Sequence, residues 1–296
     1  MIKSRSYKRY QSILHIVLIL ITLIMILPLV LLFMSSISSE KSLLVHGYSF
    51  LPKEFSPDAY IYILRNKETI FRAYGITILV TLIGTSANIL MSSFMAFPLS
   101  IRKLPFRNII SFYIFFTMLF NGGLVPSYLM WTGTFHIKNT LWALIIPNFL
   151  MGAMNVMLIR TYFATSIPET LYEAAQIDGA GYIKVFRSIV LPLGKPILVT
   201  IGLFSGLTYW NDWTNGLYYI NKAELYSIQT LLNKMIQDIQ AIQANATASS
   251  NAAAMAIPQV SIRMAIAFVA LFPILMVYPF LEKYFASGIM LGAVKG

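Results

Sequence analysis

The sequence contains no cysteine and few histidines, and each scarcity excludes a class of chemistry. Without cysteine among its 296 residues, the chain forms no disulfide, thiolate metal site or cysteine nucleophile. Its three histidines, His15, His46 and His136, are scattered and lack the spacing of metal ligands. We therefore predict no catalytic residue, no metal site and no cofactor bound by this chain.

Charged residues are also scarce, at 11% of the chain, while apolar residues make up 57%. A soluble domain carries about a quarter of charged residues, so the composition predicts an integral membrane protein. The net charge of +11 does not indicate nucleic-acid binding, because the Lys and Arg residues punctuate apolar runs instead of clustering on a solvated surface.

Six apolar runs are long enough to cross about 30 Å of hydrocarbon as helices. We predict an all-α membrane protein with a single domain over residues 1–296. Its spans are expected at about 13–34, 76–97, 109–130, 140–159, 193–212 and 262–281. The first run has no small-residue cleavage site, so it is expected to remain as a span and not to be removed as a signal peptide.

Lys and Arg are about twice as dense in the predicted loops on one side of the membrane, and such loops usually face the cytoplasm. This bias predicts cytoplasmic N- and C-termini and a cytoplasmic loop over residues 160–192. Within the second outer loop, residues 237–258 are rich in Ala, Asn and Ser, which is typical of a helix tip or of a mobile loop.

No ionisable residue lies near the middle of the predicted spans, because Lys195, Asp212 and Arg263 are at or near span ends. A carrier coupled to protons or sodium usually needs a titratable group inside the membrane, and an intramembrane hydrolase needs a paired acid and base. The chain also lacks a GxxxxGK[ST] phosphate-binding loop. Its source of energy is therefore expected in another protein.

The cytoplasmic loop 160–192 carries the most specific local pattern. Ser166 and Glu169 have the spacing of a capping box with Pro168 between them, so a helix is expected to begin near Ile167. Gly179 suits the left-handed position that ends such a helix. A second short helix is predicted over about 182–190, ended by the prolines that precede the fifth span.

Small residues in this loop would let a partner approach closely, with acidic residues at the edge of the contact. The small residues are Ala174, Ala175 and Ala180, and the acidic ones are Glu173 and Asp178. An amphipathic hairpin packed on its own helix bundle explains the same pattern equally well, so the residues leave both alternatives open.

The segment EAAQIDGAGYIKVFRSIVLPLGKP, residues 173–196, resembles the signature of permease subunits of ATP-binding cassette (ABC) importers. FNGGLVPSYL from Phe120, NTLWALIIPN from Asn139, YWNDW from Tyr209 and the terminal GIMLGAVKG resemble the branch that imports oligosaccharides. The resemblance implies the type I importer permease fold, with a coupling helix-turn-helix in the cytoplasmic loop. It assigns ATPase coupling to Glu173, Ala174, Ala175, Asp178, Gly179 and, beside them, Ala180.

The same resemblance implies a subunit that forms half of a carbohydrate pore in the bacterial plasma membrane and is not itself an enzyme. Its implied partners are a homologous second permease subunit, an extracellular solute-binding protein and two cytoplasmic ATPase subunits, which use ATP and Mg²⁺. The alternatives are a permease for another solute and a gradient-driven secondary carrier.

A sugar is expected to contact neutral hydrogen-bonding groups and aromatic faces. The spans offer Asn88, Asn121, Asn155, Tyr209, Trp210, Asn211 and Trp213. We favour Trp210, Asn211 and Trp213, since an indole face beside an amide suits a sugar ring. Each also has a structural alternative, because Asn within spans often bonds between helices and Trp at span ends often forms the aromatic belt.

Overall fold

The computed structural model describes residues 5–65, 67–147, 149–246 and 259–293, and these form helices without a β-strand. The helices are α1 (Arg5–Ser36), α2 (Glu40–His46), α3 (Asp58–Arg65), α4 (Lys67–Ser100), α5 (Arg107–Leu119), α6 (Leu124–Leu129), α7 (Trp142–Ile145), α8 (Ala153–Ser166), α9 (Glu169–Ile177), α10 (Tyr182–Val185), α11 (Leu191–Leu193), α12 (Lys195–Trp210), α13 (Thr214–Tyr219), α14 (Ile228–Ala246) and α15 (Gln259–Ala293). Single π turns follow α6 and α10, over Met130–Thr134 and Phe186–Val190, and a 3-10 turn covers Ala223–Leu225. The all-α prediction is confirmed.

The chain divides into two compact units, one of residues 1–70 and 232–275 and the other of residues 71–231 and 276–296. The single domain over 1–296 stays a prediction. Of the segment 237–258, the residues up to Ala246 belong to α14, and the remainder lies outside the described residues.

In the first unit, a carboxylate fixes the start of α15. Glu40 on α2 accepts hydrogen bonds from the backbone N–H of Val260 at 2.9 Å and of Ser261 at 2.8 Å, and from the Ser261 hydroxyl at 2.8 Å. An acidic side chain at a helix N-terminus satisfies its free N–H groups and opposes the positive end of the helix dipole. The rings of Phe33 and Phe268 pack 4.9 Å apart between α1 and α15.

The second unit has two apolar cores. One joins the end of α4 to α8, α9 and the segment that leads into α12, around Phe97, Phe163, Phe186 and Ile201. The other joins α4 to α7, α12 and α13, around Val80, Leu144, Tyr209 and Tyr219. The same helices α4 and α12 contribute residues to both cores.

Two helices, Arg9–Ser36 and Lys67–Ser100, are each long and apolar enough to cross a membrane, and two bent pairs raise this number to four among the described residues. The first two predicted spans lie within α1 and α4. The side chains at 12–28 on α1 are exposed around the whole helix, as in a helix that faces apolar surroundings. The exact count of six spans stays a prediction.

The continuous helix predicted over 109–130 is wrong. Helix α5 ends at Leu119, and its direction differs by 108° from that of the following segment Leu124–Thr134. The chain turns because Gly123 adopts a φ of 87°, which other residues rarely adopt, and the Asn121 side chain accepts a hydrogen bond from the Gly123 N–H at 2.8 Å.

The continuous helix predicted over 140–159 is also wrong. Helix α7 has four residues, and α8 begins only at Ala153. Pro147 has no N–H with which to continue a helix, and backbone carbonyls of this segment bond to side chains instead. The fifth and sixth predicted spans correspond to α12 and to part of α15, whose apolar segment is Val260–Met276.

Candidate functional site

The loop predicted over residues 160–192 contains helix α9, which begins two residues later than the capping box predicted. Ser166 is the last residue of α8, and α9 begins at Glu169 after Pro168. Ile167 has an extended backbone, with φ −106° and ψ 113°, because a residue that precedes proline is disfavoured in the helical region. The capping-box prediction is therefore wrong.

The end of α9 agrees with the sequence prediction. Gly179 adopts a φ of 68°, and its N–H donates to the Gln176 carbonyl at 3.0 Å. The Ala180 N–H donates to the Ala175 carbonyl at 2.9 Å. These two bonds form a Schellman motif, which satisfies the last carbonyls of the helix and turns the chain sharply.

One face of α9 is buried in the chain's own core. The Tyr172 ring packs 6.1 Å from Phe97 of α4, and the Phe97 ring lies 5.5 Å from Phe186. Burial raises the pKa of the Tyr172 hydroxyl. Ala175 is 8% exposed in the same core, so its side chain packs against its own chain and helps to hold α9 in place.

The opposite face of α9 and the start of α10 present apolar side chains to the outside. Ile177 is 85% exposed, Ile183 70% and Tyr182 67%, and Ala174 lies exposed on the same face of α9 as Ile177. We call these four residues the exposed face. Contiguous exposed apolar patches that are bordered by polar residues mark interaction sites in many proteins. Sequence reasoning identified Ala174 but missed the other three, although the 3.6-residue period of α9 separates Ala174 and Ile177 from Tyr172 and Ala175.

A lysine from the α4–α5 connection binds the acidic side of α9. Lys103 Nζ donates to Glu173 Oε1 at 3.1 Å and lies 4.0 Å from Glu169 Oε1. The hydrogen bond and charge of Glu173, together with the charge of Glu169, raise the pKa of Lys103. Sequence reasoning missed this pair because its partners are 70 residues apart.

Two clefts lie beside α9. A cleft of about 350 Å³ separates it from the α4–α5 connection and is lined by Lys103, Glu173 and Phe163 among others. A second cleft of about 230 Å³ lies between α4, α9 and the turn at Ala180. Helix α9 is thus attached along its buried face and accessible elsewhere.

The second short helix begins at Tyr182 as predicted but continues beyond Val190 to Leu193. Pro192 is accommodated because the preceding turn is a wide π turn, in which the Leu191 N–H donates to the Phe186 carbonyl. The helical segment Tyr182–Leu193 then meets α12 at an angle of 79°. This sharp bend separates the short helices of the loop from the apolar helix that follows.

The proposed sugar-contacting residues lie in different elements. Trp210 is the last residue of α12, and Asn211 and Trp213 lie in the short connection to α13. Asn121 is at the α5–α6 bend, and Asn155 on α8 donates to Asn88 Oδ1 at 3.1 Å. The Asn211 amide donates to the Leu207 carbonyl at 2.9 Å, whereas Trp210 Nε1 is buried without a partner among the described residues.

Comparison with known proteins agrees with this architecture. Residues 88–291 match the family model described as a binding-protein-dependent transport system inner membrane component. The chain is 35% identical over 279 residues to the Bacillus subtilis polygalacturonan/rhamnogalacturonan transport system permease protein YtcP, covering 94% of this chain and 96% of YtcP. It is 36% identical over 275 residues to the Bacillus subtilis protein LplC, covering 92% and 90% of the two chains.

A solved structure has the same fold. The chain superposes with a TM-score of 0.78 on a bacterial ABC transporter involved in the import of the acidic polysaccharide alginate, at 28% identity and covering 96% of this chain and 99% of the other. The family is a transport component of the membrane and not an enzyme. This chain belongs to the family of binding-protein-dependent transport system inner membrane components, the permease subunits of ABC importers.

Proposed function

We propose that the exposed face binds a cytoplasmic ATPase subunit and passes its ATP-driven movement to the membrane helices. One observation supports this proposal above the others. Helices α9 and α10 expose Ile177 and Ile183 on one side, and on the other side they pack against the core that contains Phe97 and Phe186. A rigid helix held in this way moves together with the elements on which it packs. Glu173 and Asp178 contribute negative charge at the edge of this contact, and Gly179 forms the turn that ends α9 there.

The remaining partners follow from family membership. We infer a homologous second permease subunit that completes the translocation pathway, two ATPase subunits and an extracellular solute-binding protein. ATP and Mg²⁺ are used by the ATPase subunits, and this chain performs no covalent chemistry. Cytoplasmic termini, supported by the distribution of Lys and Arg, put α9 on the side of the ATPases.

We propose that the solute is a carbohydrate, and an oligosaccharide in particular. Support comes from the similarity to YtcP and to the alginate transporter over nearly the whole chain. Trp210, Asn211 and Trp213, at the end of α12 and in the connection that follows it, are the proposed sugar contacts. Asn121 and Asn155 remain in the proposal with less support, because they lie on other elements and lack a neighbouring indole of the kind that Trp210 and Trp213 provide near Asn211.

Uptake into vesicles that contain the assembled transporter tests this function. We expect labelled oligogalacturonides to enter only with ATP and the binding protein, because no ionisable residue that could couple transport to an ion gradient lies near the middle of the predicted spans. Collapse of the proton and sodium gradients should leave the rate unchanged. Uptake that occurs without ATP and is abolished by an ionophore would contradict the proposal of an ATP-driven importer. ATP-driven uptake of an amino acid, without uptake of sugars, would contradict the proposal that the solute is a carbohydrate.

A further inference from the structure

Two arginine side chains meet at the end of α4. Arg107, the first residue of α5, donates from Nε to the Leu99 carbonyl oxygen at 2.8 Å, and Arg160 on α8 donates from Nε to the same oxygen at 3.1 Å. Leu99 lies in the last turn of α4, where carbonyl groups lack partners within the helix. All three residues belong to the second compact unit. The two guanidinium groups are therefore neighbours, and we call them the arginine pair.

No carboxylate balances the charge of the arginine pair within the part of the chain that the structure describes. The ion pairs there join Lys103 to Glu169 and Glu173, and neither arginine takes part in one. Burial, and after it the charge of Arg107, lowers the pKa of Arg160, as expected where two cations lie close together. Because a guanidinium stays protonated in proteins, the pair carries two positive charges.

The arginine pair also keeps hydrogen-bond donors free. A guanidinium has five N–H groups, and in each arginine only the Nε–H bonds to another described residue. The two terminal nitrogens form a fork that can bind a phosphate through two parallel hydrogen bonds. The N-terminus of α5 lies at the same place, without an acidic residue in its first turn and without a side-chain cap from Phe106. Free N–H groups at a helix N-terminus attract anions as well.

The arginine pair lies where long apolar segments of the chain begin and end. The sequence contains no Asp, Glu, Lys or Arg between Arg107 and Lys138, nor between Lys138 and Arg160. Helix α5 exposes apolar side chains directly after Arg107, with Ile109 at 66% and Phe112 at 65%. Basic residues that border an apolar membrane segment lie at the level of the lipid head groups. We therefore expect the pair at the membrane surface, within reach of lipid phosphates.

We propose that the arginine pair binds the phosphate of an anionic phospholipid. The phosphate accepts hydrogen bonds from the terminal N–H groups of Arg107 and Arg160, and its negative charge offsets the repulsion between them. Basic pockets between membrane helices bind lipid head groups through the same chemistry. The bound lipid stabilises the α4–α5 connection, which also carries Lys103, the partner of Glu173 on α9. The inference goes beyond the proposed function, because this site is separate from the ATPase contact and from the sugar contacts.

Lipid binding to the assembled transporter in detergent tests this site. The probes are phosphatidylglycerol, phosphatidylcholine and inorganic phosphate, and native mass spectrometry measures how much of each is bound. The double variant Arg107→Gln with Arg160→Gln should bind phosphatidylglycerol at least about tenfold more weakly, because it loses both charge-assisted contacts to the phosphate. Lys184→Gln on α10 also removes a positive charge but leaves the arginine pair intact, so it should bind phosphatidylglycerol as the unchanged protein does.

Thermal unfolding provides a second measurement on the same proteins. Phosphatidylglycerol should raise the unfolding temperature of the unchanged protein and of Lys184→Gln, but not of the double variant, because a ligand stabilises only a protein that binds it. The single variants Arg107→Gln and Arg160→Gln each keep one donor to the Leu99 carbonyl. They should also bind phosphatidylglycerol more weakly, and they test the site even if the double variant does not fold.

Three results would overturn the proposal. The first is equal affinity of all these proteins for phosphatidylglycerol. The second is equal affinity of the unchanged protein for phosphatidylcholine and phosphatidylglycerol, and the third is displacement of the lipid by inorganic phosphate, which would identify a site for free phosphate. Neither measurement requires ATP or a sugar, so failure of this inference is distinguishable from failure of the proposed function.

Discussion

At the scale of single residues, neighbouring alanines on α9 have opposite environments. Ala174 is on the exposed face, whereas Ala175 is 8% exposed in the core with Phe97 and Phe186. Sequence spacing groups the two residues together, but a helix turns by about 100° per residue and so points them apart. The resemblance assigns ATPase coupling to both, and the environment of each suggests a different way of contributing.

The two alanines form a matched pair for mutation. Ala174→Arg adds a charge to the exposed face, so we expect loss of ATPase subunits from the purified complex with an unchanged unfolding temperature of the permease. Ala175→Arg places a charge in the apolar core, so we expect the unfolding temperature itself to fall, because burying an unpaired charge is costly. Thermal unfolding in detergent and co-purification from membranes distinguish the two effects. Full ATPase recovery with Ala174→Arg would contradict the docking role of the exposed face.

The ion pairs of Lys103 connect α9 with the α4–α5 connection, which is distant in the sequence. Its contacts with Glu173 and Glu169 raise its pKa, so this cation stays protonated through the neutral range, and the stabilisation is lost only as the pH rises through the raised pKa. All three side chains are largely exposed, with 75% for Lys103 and 53% for Glu173, so salt and solvent screen the interaction. Lys103 therefore orients α9 more than it stabilises the fold.

At the scale of elements, the sequence best predicted the features that depend on neighbouring residues alone. The end of α9 at Gly179 follows from glycine's freedom at positive φ, and the structure agrees. The start of α9 was misplaced because Pro168 forces Ile167 into an extended backbone, which overrides the Ser166 and Glu169 spacing.

The broken spans were not predictable from hydropathy. A window average remains high across 109–130 and 140–159, since the residues at the breaks are mostly apolar or small. What stabilises the second break is a set of donors that lie more than 60 residues away in sequence, such as Tyr209 and Asn88. Such long-range hydrogen bonds leave no periodic signal in the sequence. The helices of the loop 160–192 were therefore largely predictable, and the break between α7 and α8 was not.

Substitution of Tyr209 tests whether its hydroxyl stabilises the break between α7 and α8. Its ring crosses α4 at Gly84, where a Cβ atom would overlap with it, and its Oη donates to the buried Ile145 carbonyl. Tyr209→Phe keeps the ring and leaves that carbonyl unpaired, so we expect a loss of about 1–3 kcal/mol of stability. Tyr113→Phe, at a side chain that is 69% exposed on α5, is the matched control. Equal unfolding temperatures for the two variants would show that this hydrogen bond does not stabilise the break between α7 and α8.

At the scale of the whole molecule, each of the two compact units is stabilised by contacts of its own. The first is tied by the Glu40 carboxylate at the start of α15, and the second by its two apolar cores. The chain passes between the units within α4, α14 and α15, so each boundary lies inside a continuous helix. Helix α9 is held within the second unit, where Tyr172 packs on Phe97 of α4.

The orientation of the whole chain determines which side can receive an ATPase, and cysteine labelling of intact cells measures it. Gly181→Cys lies in the turn between α9 and α10, where a Cβ atom meets open space, and Lys53→Cys lies at an exposed position between α2 and α3. Since the density of Lys and Arg favours cytoplasmic termini, we expect a membrane-impermeant thiol reagent applied outside to label Lys53→Cys and to spare Gly181→Cys.

Permeabilised cells provide the control, because both variants should then be labelled to a similar extent. Labelling of Gly181→Cys in intact cells, with Lys53→Cys protected, would place α9 outside the cell. The ATPase subunits work in the cytoplasm, so that result would contradict the docking role of the exposed face. The expected pattern would place α9 on the cytoplasmic side, where the ATPase subunits are. Helix α8 would then lead from that side into the membrane.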